Sequence, residues 1–587
     1  MLNECLSVFD KMLQQKGEGL ILDNYIPADG SYVLVDADGK VKDVIEIKLN
    51  KKTRQLENID SEYLSDICFY DYHSGLISMN KPLDSKKVIH SNNYLSFAVK
   101  KESLKGKLTK PIIDNYYAVI QNPLKKYQKS KEASRIYQQF ADEYGQADES
   151  KLSFAKNWIE QNIFHINDIL PENSQIDLAK KDYLKIFFEA DRKLYEQEDN
   201  RYVMPNIYNN NDFNIEYENT IYGLPDNNIS MNAKKPFLAN RTRKSPIPYL
   251  LDGHDVMLQR KFFDYLMIQA SLGKYNVYVD TVQNDINFYS DKESPATVKS
   301  GIYLRIKKGK ELEIQAQDNI SNYSDDTKRD FILKHIVQYK FYQDKETNKG
   351  KFDDDYNTAH VERSKIGELL NKILFSNYLK TNYYTDANDL KINDSVLKYN
   401  LLTYRNIIFD WIYKGIDNNF GDKIDKCAMN IIKGSVNNGY KERAVCQMDL
   451  RWSLMDYFKG VDIMQAAEEL RNSVKAKILN KEEVLKLDSD QEYCYAIGQL
   501  AAYFISLSRA QNKMQSMIKP FLSASSDKVI KERLRILYNK YSYTITENNR
   551  RLKNLYAMIL AYEPQQIDTD MILLGYMDNN WIYTKSN

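Results

Sequence analysis

Several groups of residues in this 587-residue chain have types and spacings that chemistry can use. His254 and Asp255 form the dipeptide that supplies two ligands to a divalent metal in metal-dependent phosphohydrolases and nucleases. Such a site needs further His and Asp ligands. The chain holds six histidines and no companion motif, so the pair reads as the start of a helix after Gly253. Asp36, followed by Glu46 and Lys48, imitates the D…E-x-K pattern, in which two carboxylates hold Mg²⁺ and a lysine assists the attacking water. These residues fall on a predicted short hairpin beside other exposed charges. A metal-dependent nuclease built on either set is the alternative function. The sequence contains no G-x-x-x-x-G-K-[ST] phosphate loop, G-x-S-x-G elbow or H-E-x-x-H zinc helix.

Other groups suit contact with a polyanion better than bond-breaking. Residues 66–100, DICFYDYHSGLISMNKPLDSKKVIHSNNYLSFAVK, gather amides, hydroxyls, lysines and aromatics around a turn, with no catalytic constellation. Lys81, Lys86 and Lys87 can meet phosphates, while Asn80, Asn92 and Asn93 can bond base or sugar edges. The competing reading is a polar loop between two strands, 67–72 and 94–99. Residues 231–245 hold five basic side chains, Lys234, Lys235, Arg241, Arg243 and Lys244, and no acid, with Pro236, Pro246 and Pro248 keeping the segment extended. An extended basic segment can follow a sugar-phosphate backbone. Arg305, Lys307, Lys308 and Lys310 form a second patch at a turn; Arg509, Lys513, Lys519 and Arg533 form a third on predicted helices.

The elements that must position these residues change along the chain. Eleven of the thirteen prolines lie between Pro27 and Pro295, and none falls in 296–519. Because proline removes an amide donor and breaks helix interiors, the first half should be strand and loop with interspersed helices and the second mostly helical. Residues 32–36 and 41–48 flank ADGK and predict a hairpin; GIYLRIKKGKELEIQ predicts another. Helices are expected over 178–195 and 256–271. Residues 343–356, QDKETNKGKFDDDY, are dense in Lys and Asp and read as a linker. Beyond them Ile497, Leu500, Ala501, Phe504 and Leu507 recur at helical spacing, as do Ile530, Leu534, Leu537 and Tyr541. A further helix, N-capped by Thr546, carries Leu552, Leu555, Ile559 and Tyr562 and stops before Pro564. With helices over 450–479 and 569–577, these make a C-terminal bundle.

Composition narrows the function. Eighty-two Lys plus Arg balance 81 Asp plus Glu, so a protein wrapped wholly in nucleic acid is excluded and binding must come from local patches. Forty-five tyrosines alongside abundant Lys, Asn and Ile fit an AT-rich coding genome better than a dedicated stacking surface. Five scattered cysteines, with no C-x-x-C, support neither a disulfide framework nor a zinc knuckle. The first residues place Leu2, Leu6, Phe9 and Leu13 on one helical face, while Glu4 and Asp10 argue against a signal peptide. No apolar run reaches a membrane span, and a cytoplasmic protein is expected.

The run DYHSGLISMNKP followed by KKVIHSNNYLSF resembles the N-terminal signature of the large subunit of the type I-B CRISPR-associated Cascade complex, the eighth Cas family in its b subtype. LILDNYIPADGSYVLVD at 20–36, KPFLANRTRKSPIPYLL at 235–251 and YCYAIGQLAAYFISLSRAQNKM at 493–514 are similar to further segments of that family, in the same order. The resemblance implies an α+β fold: a mixed domain over 1–350, a helical connection over 351–445, and a bundle over 446–587 resembling the complex's separate small subunit. It implies a subunit without catalysis or cofactor, placed near the 5′ handle of the guide RNA. There it checks the protospacer-adjacent motif in target duplex DNA, supports R-loop formation, and precedes a recruited helicase-nuclease. Its partners would be guide RNA, target DNA, the backbone, handle-binding and small subunits, and no membrane. Some relatives carry a cysteine cluster; this chain has none to transfer a metal to. The family can also make its small subunit from an internal start, for which Met448, Met455 and Met464 are the candidates.

Overall fold

A computed structural model of the chain describes every residue except 51–55, 58–60, 128–130, 210, 227–248, 310, 341–351, 509–514, 525, 547–548 and 585–587. The fold is α+β, strand-bearing in its first half and mostly helical in its second. Two units separate, Met1–Ser290 with Lys299–Ser321, and Asp291–Val298 with Asn322–Asn587. The separation falls ahead of the expected linker. Residues 341–351 of that linker lie outside the described residues, and Tyr356 at its end is buried, donating its hydroxyl to Asp449 Oδ2 at 3.0 Å.

In the first unit, helix α1 (Leu2–Lys16) buries Cys5, Leu6, Phe9 and Met12 along one stripe. The hairpin around ADGK forms β1 (Gly30–Val35) and β2 (Val41–Ile47), antiparallel, with Ser31 opposite Glu46. Then follow α2 (Leu64–Tyr72), β3 (Ser96–Lys100), α3 (Lys110–Gln121), α4 (Glu149–Asn162), β4 (Tyr183–Phe188), α5 (Arg192–Asn206) and α6 (Gly253–Ser271). The sheet order is β2-β1-β4-β3, with β4 parallel to β1 and antiparallel to β3. All six residues of β1 are buried, as a central strand covered on both faces requires.

Two sequence expectations reverse here. Residues 67–72, expected as a strand, lie in α2 with every side chain from Ile67 to Tyr72 buried, the carboxylate of Asp71 included; a helix buried on all sides loses the one-sided apolar stripe that marks a helical period. Residues 178–195, expected as one helix, contain β4 and the start of α5. YLKIFF is a central strand, apolar but for Lys185 and with Ile186, Phe187 and Phe188 buried in succession, so no clean alternation marks it. Asp191 then accepts the Lys193 amide at 2.8 Å and starts α5. The second sheet runs β5 (Asn276–Asp280), β6 (Asp285–Tyr289), β7 (Val298–Lys308) and β8 (Leu312–Tyr323), in the order β8-β7-β5-β6. Its β7–β8 pair is the second expected hairpin.

The second unit opens with a two-stranded ladder, β9 (Asp326–Ile332) against β10 (Ala359–Glu362), which leads into α7 (Arg363–Leu369). Long helices follow: α8 (Ser395–Tyr413), α9 (Phe420–Asn437), α10 (Lys441–Lys459), α11 (Ile463–Leu479), α12 (Asp490–Ser506), α13 (Asp527–Tyr541), α14 (Arg550–Ala561) and α15 (Thr569–Met577). The expected helix over 450–479 is two, broken at Gly460, whose φ of 70° ends α10. Asn549, not Thr546, caps α14, accepting the Leu552 amide at 3.1 Å. Ile497, Leu500, Ala501 and Phe504 all point into one core with Ile530, Leu534, Leu555 and Ile559.

That core closes around a glycine crossing. A Cβ on Gly498 of α12 would stand 2.2 Å from the Ile572 carbonyl oxygen, and one on Gly575 of α15 would stand 2.1 Å from the Tyr495 carbonyl oxygen. Backbone lies against backbone, and any side chain at either position would force the helices apart.

Candidate nucleic-acid interface

The signature at 66–100 folds around three carboxylates. Asp71, near the end of α2, pairs with Lys185 and accepts the Tyr25 hydroxyl at 2.9 Å. Asp199 of α5 accepts Asn92 Nδ2 at 2.7 Å and faces His73 Nδ1 at 3.3 Å. Glu18 meets the other His73 nitrogen at 3.2 Å and Lys261 Nζ at 2.6 Å. Burial alone would depress the His73 imidazolium, but hydrogen bonds to Asp199 and Glu18 and their charges outweigh it and raise its pKa to about 9. For Glu18 the order is the same: burial acts upward, and the bonds from His73 and Lys261 prevail and hold it near 2.

This packing decides which expected binders can reach a ligand. Asn92 is 3% exposed; its Nδ2 also donates to the Gly75 carbonyl at 2.9 Å. Asn93 is 0% exposed, its Oδ1 accepting the Leu95 amide at 2.8 Å. Both are interior braces, so direct base readout by these two amides is corrected. Lys81 also points inward, donating to the Asn206 and Tyr208 carbonyls and pairing with Asp226 Oδ2 at 3.1 Å. It clasps the chain following α5. Partners far along the chain, Asp199 for Asn92, the Tyr195 carbonyl for Asn93 Nδ2 and Asp226 for Lys81, absorb these polar groups, and no local pattern marks that.

Lys86 and Lys87 are different. Buried Asp84 accepts the Lys86 amide at 2.8 Å through Oδ1 and the Val88 amide at 2.7 Å through Oδ2. This Asx-type turn pushes Ser85, Lys86 and Lys87 into solvent, with Lys87 in the left-handed region at φ 59°. Neither lysine makes an ion pair among the described residues.

Of the second patch, Arg305 is buried. It lies opposite Asn276 in the β5–β7 register and donates to Asn276 Oδ1 at 2.9 Å, so it braces the sheet. Lys307 and Lys308 are exposed at the end of β7, Lys307 standing 3.5 Å from Glu313; Lys310 lies outside the described residues. So do Lys234, Lys235, Arg241, Arg243, Lys244, Arg509 and Lys513. Lys519 and Arg533 are exposed on the second unit.

The nuclease residues do not converge as the alternative requires. Asp36 closes the hairpin turn, accepting the Asp38 and Lys40 amides, each at 2.9 Å. Glu46 pairs across from Ser31, about 16 Å back along the strand, and bonds Lys180 at 2.7 Å. Lys48 pairs with Glu57 at 3.4 Å. Ligand atoms of Asp252, His254 and Asp255 do lie within 4.8 Å of one another on the surface. Asp252 is there the N-cap of α6, accepting the Asp255 amide at 2.8 Å.

One constellation escaped the sequence. In the second unit Lys328, Arg329, Arg363 and Lys459 line a cleft of about 510 Å³, with Asp417 the one acid among the lining residues. They come from β9, the start of α7 and the end of α10, and only the TKRD run of β9 hints at them. No family model, curated protein or solved structure matches the chain.

Proposed function

We propose that this chain is a nucleic-acid-binding large subunit of an RNA-guided surveillance complex of the type I-B Cascade kind, working in the cytoplasm. It contributes electrostatic and hydrogen-bonding contacts and no covalent step. The observation that carries the reading is the set of four segments, in order across the chain, that resemble this family. The Asp84-organised turn supports it by offering Lys86 and Lys87 to solvent beside the best of those segments. In this reading the lysine pair meets target-duplex phosphates near the protospacer-adjacent motif. Asn92, Asn93 and Lys81 hold the turn's foundation. The acid-free run 231–245 is the second contact, and guide pairing supplies most of the sequence specificity. Its partners are guide RNA, target DNA, the neighbouring subunits and a recruited helicase-nuclease.

The test uses the assembled complex with target duplex. Lys86→Ala with Lys87→Ala should weaken binding nearly equally across a motif library, because phosphate contacts carry no sequence information. It should also lower the salt slope by about 1.8, at about 0.9 per lost phosphate contact. Arg241→Ala, Arg243→Ala and Lys244→Ala together should lower it further. Unchanged affinity and slope in both variants would sink the reading. Mg²⁺-dependent cleavage by the isolated chain, abolished by Asp255→Ala or Glu46→Ala, would replace it with the nuclease.

A further inference from the structure

The second unit also holds a cavity of about 600 Å³ at the start of α10, lined by none of the cations of the basic cleft. Three stretches line it: Tyr339 with Phe352, the first turn of α10, and residues between 372 and 377. The last of these has an uncommon backbone. Helix α7 runs into a π-helical turn, Leu370–Leu374, and Gln447 Nε2 of α10 donates to the Ile373 and Leu374 carbonyls at 3.3 and 3.1 Å. Ser376 and Asn377 follow with φ of 51° and 67°, two successive left-handed residues that are not glycine. Such conformations persist only where the surrounding structure enforces them, and both π turns and strained residues gather at ligand sites.

Lys441, the first residue of α10, is the uncommitted charge of this cavity. It is half-buried, its ammonium 5.2 Å from the centre of the Tyr339 ring and 5.4 Å from that of Tyr576. Among the described residues it makes no hydrogen bond and no ion pair. Burial pushes its pKa down to about 8, with the Asp578 charge acting the other way. Two ring faces favour the cation and leave its N–H donors without an acceptor. The other cations of the lining are engaged: Lys372 pairs with Asp355 at 3.2 Å, and Arg443 Nη2 donates to Asp394 at 3.1 Å. Arg443 Nε, shut off from solvent, still meets no acceptor among the described residues. Glu442, the one acid of the lining, is exposed. Tyr440 at the N-cap supplies no side-chain bond, so the amides of the first turn add the positive end of the helix, about +0.5 charge, to that of Lys441.

We infer that this cavity binds a free nucleoside monophosphate, its phosphate at Lys441 and the first turn of α10 and its base against the rings of Tyr339, Phe352 and Tyr440. A volume of about 600 Å³ is that of a small-molecule site and more than inorganic phosphate fills. Charge selects the monophosphate: a phosphate monoester carries about −1.5 to −2 at pH 7, close to what the ammonium and the helix end offset, and a triphosphate exceeds it. Aromatic walls add nothing to the binding of a simple anion, whereas a planar base stacks on them. Ser376 and Asn377 bring a hydroxyl and an amide to the same lining, where the polar edges of base or ribose need partners. The inference does not depend on the reading of the chain as a nucleic-acid binder.

The experiment titrates the full chain by isothermal calorimetry with the monophosphates of adenosine, guanosine, cytidine and uridine, and with the free nucleosides and inorganic phosphate as controls. At least one monophosphate should bind, and its nucleoside and inorganic phosphate should each bind about ten-fold more weakly or worse, since each keeps only half of the contacts. Lys441→Met retains the apolar stem against Tyr339 and Tyr576, removes the charge, and should weaken binding about ten-fold or more. Tyr440→Ala, at a side chain 53% exposed and so of little consequence for the fold, should weaken it several-fold. Lys86→Ala with Lys87→Ala, in the first unit, should leave it unchanged. Failure of every monophosphate to bind at about 1 mM overturns the inference. So does inorganic phosphate binding as tightly as the monophosphate, or undiminished binding by Lys441→Met. A thymidine oligonucleotide that displaces the monophosphate at lower concentration than the monophosphate itself would overturn it in favour of a strand. The duplex-target test in the assembled complex decides the nucleic-acid reading separately.

Discussion

His73 is the residue on which the signature segment turns. Its imidazolium sits between Glu18 and Asp199, with Asp199 also 3.5 Å from Arg260 and bonded to Asn92. A histidine whose folded pKa is raised to about 9, against about 6.5 unfolded, contributes stability that is complete below about 6.5 and is lost as pH climbs through about 9. Glu18, held near 2, contributes above its ordinary value near 4.5 and loses that contribution as the pH falls toward 2. Thermal stability of the first unit should therefore be greatest between about pH 5 and 6.5 and decline toward pH 9. His73→Gln should cost about 3 kcal/mol at pH 6, because it leaves buried Asp199 and partly buried Glu18 short of a cation. It should also flatten the alkaline decline. A wild-type melting temperature that stays level from pH 6 to 9 would show the imidazole is neutral in the fold.

Among elements, the α12–α15 crossing is the least forgiving. Gly498→Ala places a methyl 2.2 Å from the Ile572 carbonyl oxygen and 2.6 Å from the Tyr576 amide nitrogen, so helix axes must move. The expected cost is about 3 kcal/mol, read by chemical denaturation. Gly106→Ala is the control: nothing lies within 4 Å of the added atom, and the change should stay within about 0.5 kcal/mol. An equal, small effect at both positions would mean that α12 and α15 do not approach this closely. The Asp84 turn follows the opposite logic. There a buried acceptor organises backbone amides so that the lysines face outward.

At the scale of the molecule, the core of the second unit runs from Ile336 to Ile582, so a C-terminal fragment divides it. Met448 is buried in the middle of α10; Met464 is 43% exposed at the start of α11, so a start there removes only Ile463 and the Asp462 cap from that helix. A short product of the same gene should therefore begin at Met464 by N-terminal mass spectrometry, and Met448 or Met455 at that terminus would contradict this. Such a fragment lacks the Gln338 amide that donates to Asp578 at 2.7 Å and the Ile336 carbonyl that accepts from Arg471 at 2.9 Å. It should melt below the same residues in the full chain. What the sequence determined by itself is whatever depends on local pattern. The ADGK hairpin, the stripes of Ile497 to Phe504 and Ile530 to Tyr541, and the helical second half follow from turn chemistry, period and proline placement. Tertiary structure alone decided the rest. Whether α2 and β4 were helix or strand depended on burial from every side, which erases periodicity. Whether Asn92, Asn93, Lys81 and Arg305 faced ligand or core depended on Asp199, the Tyr195 carbonyl, Asp226 and Asn276, partners that only the fold brings within bonding distance. The cleft of Lys328, Arg329, Arg363 and Lys459 draws on residues up to 131 positions apart, because charge convergence is a property of surfaces and not of spacing along a chain.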